Sequence, residues 1–321
     1  MTLALLAAAF AAAWRHMAYC PHDPLAGAGA APPDPALQAR LAEHVRQLAE
    51  GLGPRHLGAM QALDAADAYI QKSWRKQGLR PVGHPYQVDG RWCRNIACDL
   101  PGPTAAEDTV VVGAHYDSVA GSPGADDDAG GVAALLELPR LLGARSARRP
   151  VRLVAFVNEE DPYFGTAQMG SQVFADEACS RGEPIHAMIS LDAIGYYSDA
   201  RNSQGYPTAL AFFFPDRGNF LSIVGNVGGR ELVNRFHSYL APKLGVPSLC
   251  VATFEWLEGI DWSDHQSFWK AGYPALMVTD TAVYRHPGYH TPKDLPATVD
   301  FGKLALVTAG LARAVQRLRD E

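Results

Sequence analysis

No two of the five cysteines, Cys20, Cys93, Cys98, Cys179 and Cys250, form a C-x-x-C pair, so thiolate zinc sites and redox dithiols lack their usual spacing. The odd total argues against a disulfide framework. Cys93 and Cys98 share a strand-like stretch that should turn them to opposite faces. Buried structural thiols are the expectation. Basic charge is in deficit as well: 28 Lys and Arg against 34 Asp and Glu give a formal charge of −6, which offers nothing to draw a nucleic acid. Nucleophile and nucleotide motifs are missing too. A G-x-S-x-G elbow would need glycine two residues before Ser171, where Met169 stands, and neither a Walker loop nor G-x-G-x-x-G occurs. H-E-x-x-H is absent, which excludes a thermolysin-like single-zinc site. Long apolar runs are nearly absent. The one sustained run, residues 2–14, is short against the roughly 20 residues of a membrane span. It fits a signal-peptide core in length, although no Lys or Arg precedes it and Arg15 follows. The expectation is a remnant of an export or anchor segment. That implies a periplasmic, secreted or membrane-anchored protein that meets the membrane only through this segment.

What is present is ordinary globular material: 48% hydrophobic and 19% charged residues over 321 positions, enough for a large core. Residues 21–36 are rich in Pro, Gly and Ala and read as a linker, leaving 37–321 as one catalytic domain. Apolar periodicity predicts helices over 37–50 and 60–77, the second ending at Gly78. Strands are expected at 82–88, 92–98, 109–114, 151–157, 186–191, 208–214, 248–252 and 274–279. Helices are expected at 129–143, 167–176, 230–241, 264–271 and 303–319. The unbroken runs TVVVGA and VRLVAFV suit central strands covered on both sides. The fold class is therefore α/β, with a mixed, mostly parallel central sheet flanked by helices on both faces.

His, Asp and Glu gather where these strands end, the place at which open α/β sheets bind ligands. His115 and Asp117 close the first apolar strand two residues apart, so both can face one side. A short Gly/Ser/Pro loop then leads to Asp126, Asp127 and Asp128 before a helix. Helix capping accounts for Asp128, but three carboxylates beside a histidine are costly without a cation. Glu159 and Glu160 follow the second apolar strand. Alone they would be ordinary solvated surface; as neighbours pointing opposite ways they can divide between metal and water. Asp192 is set in an apolar strand, where an unpaired charge is expensive. Asp264 sits in the cluster Ser263-Asp264-His265, and His290 in a loop where a lone histidine would mean little. Together His115, Asp127, Glu160, Asp192 and His290 supply two imidazoles and three carboxylates, a set suited to two zinc ions sharing one carboxylate.

The motifs GAHYDSV, GADDDAGGVAALLE, FVNEED with MGS, SLDAIG, SDHQSFWKAGYPAL and YHTPKD run in this order over residues 37–321. In them the chain resembles the co-catalytic dizinc aminopeptidases, the family that also contains plasma glutamate carboxypeptidase, the transferrin receptor ectodomain and glutaminyl cyclase. The resemblance implies that His115 and Asp192 hold one zinc, Glu160 and His290 the other, and that Asp127 bridges them. It further implies Glu159 as general base toward a metal-activated water, Asp117 as the carboxylate behind His115, Tyr289 as a stabiliser of the oxyanion, and Asp264 as a group behind the ligands. Two departures stand out. Asp126 replaces the family's usual asparagine, and the loop from Asp161 to Ser171 is longer than in many members and carries Pro162.

The implied activity is removal of amino-terminal residues from peptides with a free amino terminus, with pocket walls drawn from the aromatic residues of 195–263. Three alternatives stay open. A carboxypeptidase or dipeptidase would need a basic cluster at the rim, for which Arg201, Arg217 and Arg285 are candidates. A glutaminyl cyclase would use one zinc on the same fold. A receptor-like ectodomain would have kept the fold without catalysis, against which the complete ligand set and Glu159 both speak.

Overall fold

The computed structural model describes residues 18–20, 31–100, 108–143, 147–207 and 214–321. The apolar run 2–14 and most of the expected 208–214 strand lie outside these residues. Among the described residues nine strands form one sheet: β1 (Ala18–Cys20), β2 (Val82–Val88), β3 (Arg91–Leu100), β4 (Thr109–His115), β5 (Val151–Phe156), β6 (Ile185–Leu191), β7 (Leu221–Asn226), β8 (Ser248–Thr253) and β9 (Ala275–Thr279). Their order is β1-β8-β7-β9-β6-β4-β5-β3-β2. The four central strands β5, β4, β6 and β9 run parallel, as do β7 and β8; the remaining ladders are antiparallel. Central position explains the unbroken apolar runs: Val110 to His115 are all buried, so no residue of that stretch needs to face water.

Helices α1 (Pro35–Arg46), α3 (Gly131–Leu142), α5 (Arg230–Leu240) and α7 (Phe301–Asp320) pack together on one face. Helices α4 (Gly170–Ser180) and α6 (His265–Lys270) cover the other, where Phe156, Phe174 and Phe268 meet edge-on or tilted. The last helix, α2 (Met60–Lys76), packs on β3. Helix ends follow local chemistry. Asp34 caps α1 by accepting from the Ala36 N–H at 2.9 Å, with Pro35 in the first turn, and Asp300 caps α7 through the Lys303 N–H. After α2 the chain turns at Gly78 with φ +79°, a conformation glycine adopts freely.

Several details differ from expectation. Strand β7 was not anticipated: Ser222 interrupts the apolar run LSIVGN, and its Gly-Asn end reads as a turn. Cys250 is disulfide-bonded, and Cys20 stands opposite it in the β1–β8 ladder. Folding brings these distant residues side by side, which a count of cysteines cannot show. Cys93 and Cys98 are free and buried as expected, whereas free Cys179 is exposed.

Candidate metal centre

The parallel strands deliver their C-terminal ends to one place. His115 is the last residue of β4, Glu159 and Glu160 follow β5, and Asp192 follows β6, its N–H held by the Val278 carbonyl of β9 at 3.1 Å. Asn158, Ala193 and His290 take left-handed backbone conformations with φ of 59°, 48° and 56°. Each lies at or beside a candidate site residue. Such φ values are unfavourable for residues bearing a β-carbon and are held only where the surroundings demand them.

Two three-residue groups result, His115 with Asp127 and Asp192, and Asp127 with Glu160 and His290; within each, the ligand atoms lie within 4.8 Å of one another. Asp127 belongs to both. Its Oδ1 is 3.1 Å from His115 Nε2, and its Oδ2 is 3.0 Å from His290 Nε2, which is also 3.0 Å from Glu160 Oε2. Glu159 joins neither group; its Oε2 stands 4.0 Å from His115 Nε2. Asp117 lies 3.7 Å behind His115 Nδ1, and its two oxygens accept the backbone N–H groups of Glu159 and Glu160, each at 3.2 Å. It therefore holds the glutamate pair as well as backing the histidine. Asn at this position keeps one acceptor and turns an NH2 group toward the other N–H. Asp117→Asn is expected to weaken zinc affinity by roughly 10- to 100-fold without unfolding the protein, checked by chelator competition and thermal melting.

The electrostatics suit a cation. Although burial opposes charge on His115, Glu159, Asp117 and Asp127 raise its pKa well above the usual value. Burial, with the Asp127 charge beside it, pushes Glu160 up to about 7, and burial pushes Asp192 up to about 6. Asp127 is pulled below the usual carboxylate range, because the His115 and His290 imidazoles close to its two oxygens outweigh its burial. His115 is fully buried, yet neither ring nitrogen completes a hydrogen bond. A histidine so placed, ringed by carboxylates that cannot all ionise unaided, fits a zinc ligand set.

Outside the ligands, Asp128 accepts the Gly131 N–H at the start of α3 and the Ala193 N–H beyond Asp192. Asp126 accepts the Gly195 N–H at 2.8 Å, tying the Asp-rich loop to the turn after β6. Asp264 is buried with neither oxygen hydrogen-bonded, and burial pushes it up to about 7. Asp294 accepts the N–H groups of Asp126 and Asp127 at 2.9 and 3.2 Å. Nothing in the sequence signals this role beyond the place of Asp294 at the end of YHTPKD.

Two cavities flank the cluster. An apolar one of about 300 Å³ reaches Asp192 and Tyr289 and is walled by Tyr206, Phe214, Phe220 and Trp262 over β7, β8 and β9. Tyr289 stacks on the His290 ring at 3.8 Å, and burial keeps its phenol protonated far above the usual range. Of the other aromatics expected as walls, Tyr196 stacks on His286, Tyr197 is packed against the core, and Trp256 is exposed and stacks on Phe254. Phe212 and Phe213 lie outside the described residues. The other cavity, of about 380 Å³, reaches Asp117 and Glu160 and has His56, Asp89, Arg91 and Tyr163 in its walls. The three arginines expected at a rim line neither cavity among the described residues. Arg285 is buried, donating to Gln204 and the Phe220 carbonyl, and Arg217 donates to the Asp199 carbonyl.

Comparison with known proteins accords with this geometry. Residues 95–315 match peptidase family M28. The chain is 36% identical over 299 residues to the uncharacterized protein YfbL of Escherichia coli K12, covering 90% of this chain and 91% of that one. It is 28% identical over 221 residues to a probable leucine aminopeptidase of Trichophyton verrucosum, covering 64% of this chain and only 52% of the fungal protein. Among solved structures, BSAP, a zinc aminopeptidase from Bacillus subtilis, superposes with a TM-score of 0.69 at 18% identity, over 88% of this chain and 95% of its own. Fimbriiglobus ruber glutaminyl cyclase superposes with a TM-score of 0.66 at 19% identity, over 88% and 97%.

Proposed function

The chain belongs to peptidase family M28, and on that footing we propose that it is a two-zinc aminopeptidase, with His115 and Asp192 at one ion, Glu160 and His290 at the other, and Asp127 shared. The observation that carries this reading is the shared carboxylate between two complete ligand groups, with Glu159 beside them and outside both. Zinc at these positions supplies Lewis acidity toward a peptide carbonyl and lowers the pKa of water. The chain's own groups do the rest. Glu159 takes a proton from the attacking water and returns it to the leaving amine. The Tyr289 O–H donates to the carbonyl oxygen as negative charge develops on it. Asp117 keeps Glu159 and Glu160 in register through their N–H groups.

An α-amino group has a pKa of roughly 8, so it is mostly cationic at neutral pH. The carboxylates of Glu159 and Asp192 would hold it, placing the first carbonyl over the cluster and the first side chain in the apolar cavity. That cavity supports a preference for apolar first residues and contains no Lys or Arg among its described walls to bind a substrate carboxylate. The test compares a peptide with its N-acetylated twin and follows products by mass. The free peptide should be shortened from its amino end, and acetylation should slow the reaction by roughly 100-fold or more. Equal cleavage, or release from the carboxyl end, rejects the aminopeptidase reading and leaves the family assignment standing. Loss of ammonia from an amino-terminal glutamine without hydrolysis would identify a cyclase.

A further inference from the structure

Arg55 is fully buried and lies ahead of the 95–315 stretch that matches the family. Its guanidinium donates only to main-chain carbonyls. Nε reaches Tyr116 at 2.9 Å, Nη1 reaches Leu48, Gly53 and Pro123 at 3.0, 3.1 and 2.6 Å, and Nη2 reaches Gly124 at 3.0 Å. Its backbone is locked to the same loop: the Arg55 N–H donates to Ser118 Oγ at 3.1 Å, and the Ser118 N–H donates to the Arg55 carbonyl at 2.8 Å. Burying a guanidinium without a carboxylate hydrogen-bonded to it is costly, so the fold must gain something from its location.

That location is the back of the metal centre. The loop from Tyr116 to Gly124 joins the strand end bearing His115 and Asp117 to the turn bearing Asp127. Arg55 grips both ends of it, at Tyr116 on one side and at Pro123 and Gly124 on the other. Gly124 permits the approach. It has φ +61°, and a β-carbon there would lie 2.4 Å from the Asp127 carbonyl oxygen and 3.0 Å from Arg55 Nη2. Asp117, Asp294, Asp128 and Asp127 act on the guanidinium through space and favour its charge, although burial lowers its pKa to about 10. It therefore remains a cation at neutral pH. Asp294 in turn grips the Asp126 and Asp127 N–H groups. The Asp127 turn is held by both.

We infer that Arg55 is a positioning residue of the metal centre, a planar fork from the amino-terminal part of the chain that fixes Asp127 relative to His115. This inference rests on the proposed ligand set. Lysine cannot replace such a fork, because a point ammonium with three donors does not span carbonyls at both ends of a loop. The charge alone predicts the reverse: arginine and lysine would then be equivalent.

The experiment measures zinc affinity by competition with a chromophoric chelator, together with the melting temperature of the metal-free protein. Wild type, Arg55→Lys, Ser118→Ala and Arg319→Lys are compared. Arg319 is equally buried but belongs to α7. Arg55→Lys should lose zinc affinity by roughly 10- to 100-fold, the cost typical of groups that orient ligands. Ser118→Ala, which loosens the same loop and leaves the guanidinium intact, should lose affinity in the same direction and by less. Arg319→Lys should lower the melting temperature and leave zinc affinity unchanged. Wild-type affinity in folded Arg55→Lys overturns the inference. Where Arg55→Lys does not fold, unchanged affinity in Ser118→Ala overturns it. An equal affinity loss in Arg319→Lys also overturns it, by reducing the effect to general destabilisation. Failure of the wild-type protein to bind zinc at all would overturn the proposed metal centre itself.

Discussion

Glu159→Gln lowers the turnover number by roughly two to four orders of magnitude while the protein keeps its zinc. The expectation follows from where the side chain stands. Glu159 belongs to neither three-ligand group, and its Oε2 stands 4.0 Å from His115 Nε2. Glutamine preserves its size and leaves the backbone N–H bond to Asp117 untouched, since that bond uses the main chain. What disappears is the capacity to accept and return a proton. Glu160→Gln is the matching control. Glu160 Oε2 meets His290 at 3.0 Å, and its Oε1 accepts the Val119 N–H at 2.9 Å, so this substitution should cost metal as well as rate. Zinc analysis of both variants decides the matter. If Glu159→Gln loses zinc and Glu160→Gln retains it, the two roles are exchanged.

Asp127→Ala has the broader effect: zinc content and activity fall together. Asp127 is the one residue common to both groups, with one oxygen facing His115 and the other facing His290. Removing it takes a ligand from each side and leaves Asp192, Glu160 and both imidazoles without their common partner. The loss of zinc affinity should exceed the roughly 10- to 100-fold expected for groups that only orient ligands. Metal analysis after dialysis and thermal melting with and without added zinc would measure it. Retention of full zinc content in Asp127→Ala would mean that the two groups do not form one shared site.

Much of the site could be read from residue type and strand position. A charged or imidazole side chain at the end of an unbroken apolar strand has no inexpensive structural reason to be there, and three such ends were visible, at His115, at Glu159 with Glu160, and at Asp192, with the Asp126–Asp128 turn crowded beside the first. The helix-capping part of Asp128 was legible for the same reason, since capping is a local hydrogen bond three residues long. His290 was legible only in company. Its loop has no period, and its backbone takes a conformation that nothing in the adjacent residues requires.

The sequence by itself determined most of the elements and the inventory: which runs become the central strands β4 and β5, where most helices lie, and which acids and histidines stand at strand ends. These are set by periodicity, capping and burial cost, all of which act within a few residues. Only the tertiary structure decided the rest. It assigned Asp127 to both ligand groups, left Glu159 outside them, and gave Asp117 the glutamate N–H groups to hold. It also placed Arg55 behind the Asp-rich turn, clamped that turn again with Asp294, and set Cys20 opposite Cys250. Every one of these joins segments far apart in the chain. Their separation in space is fixed by how the sheet orders its strands and how loops close over them, and no local pattern encodes that distance.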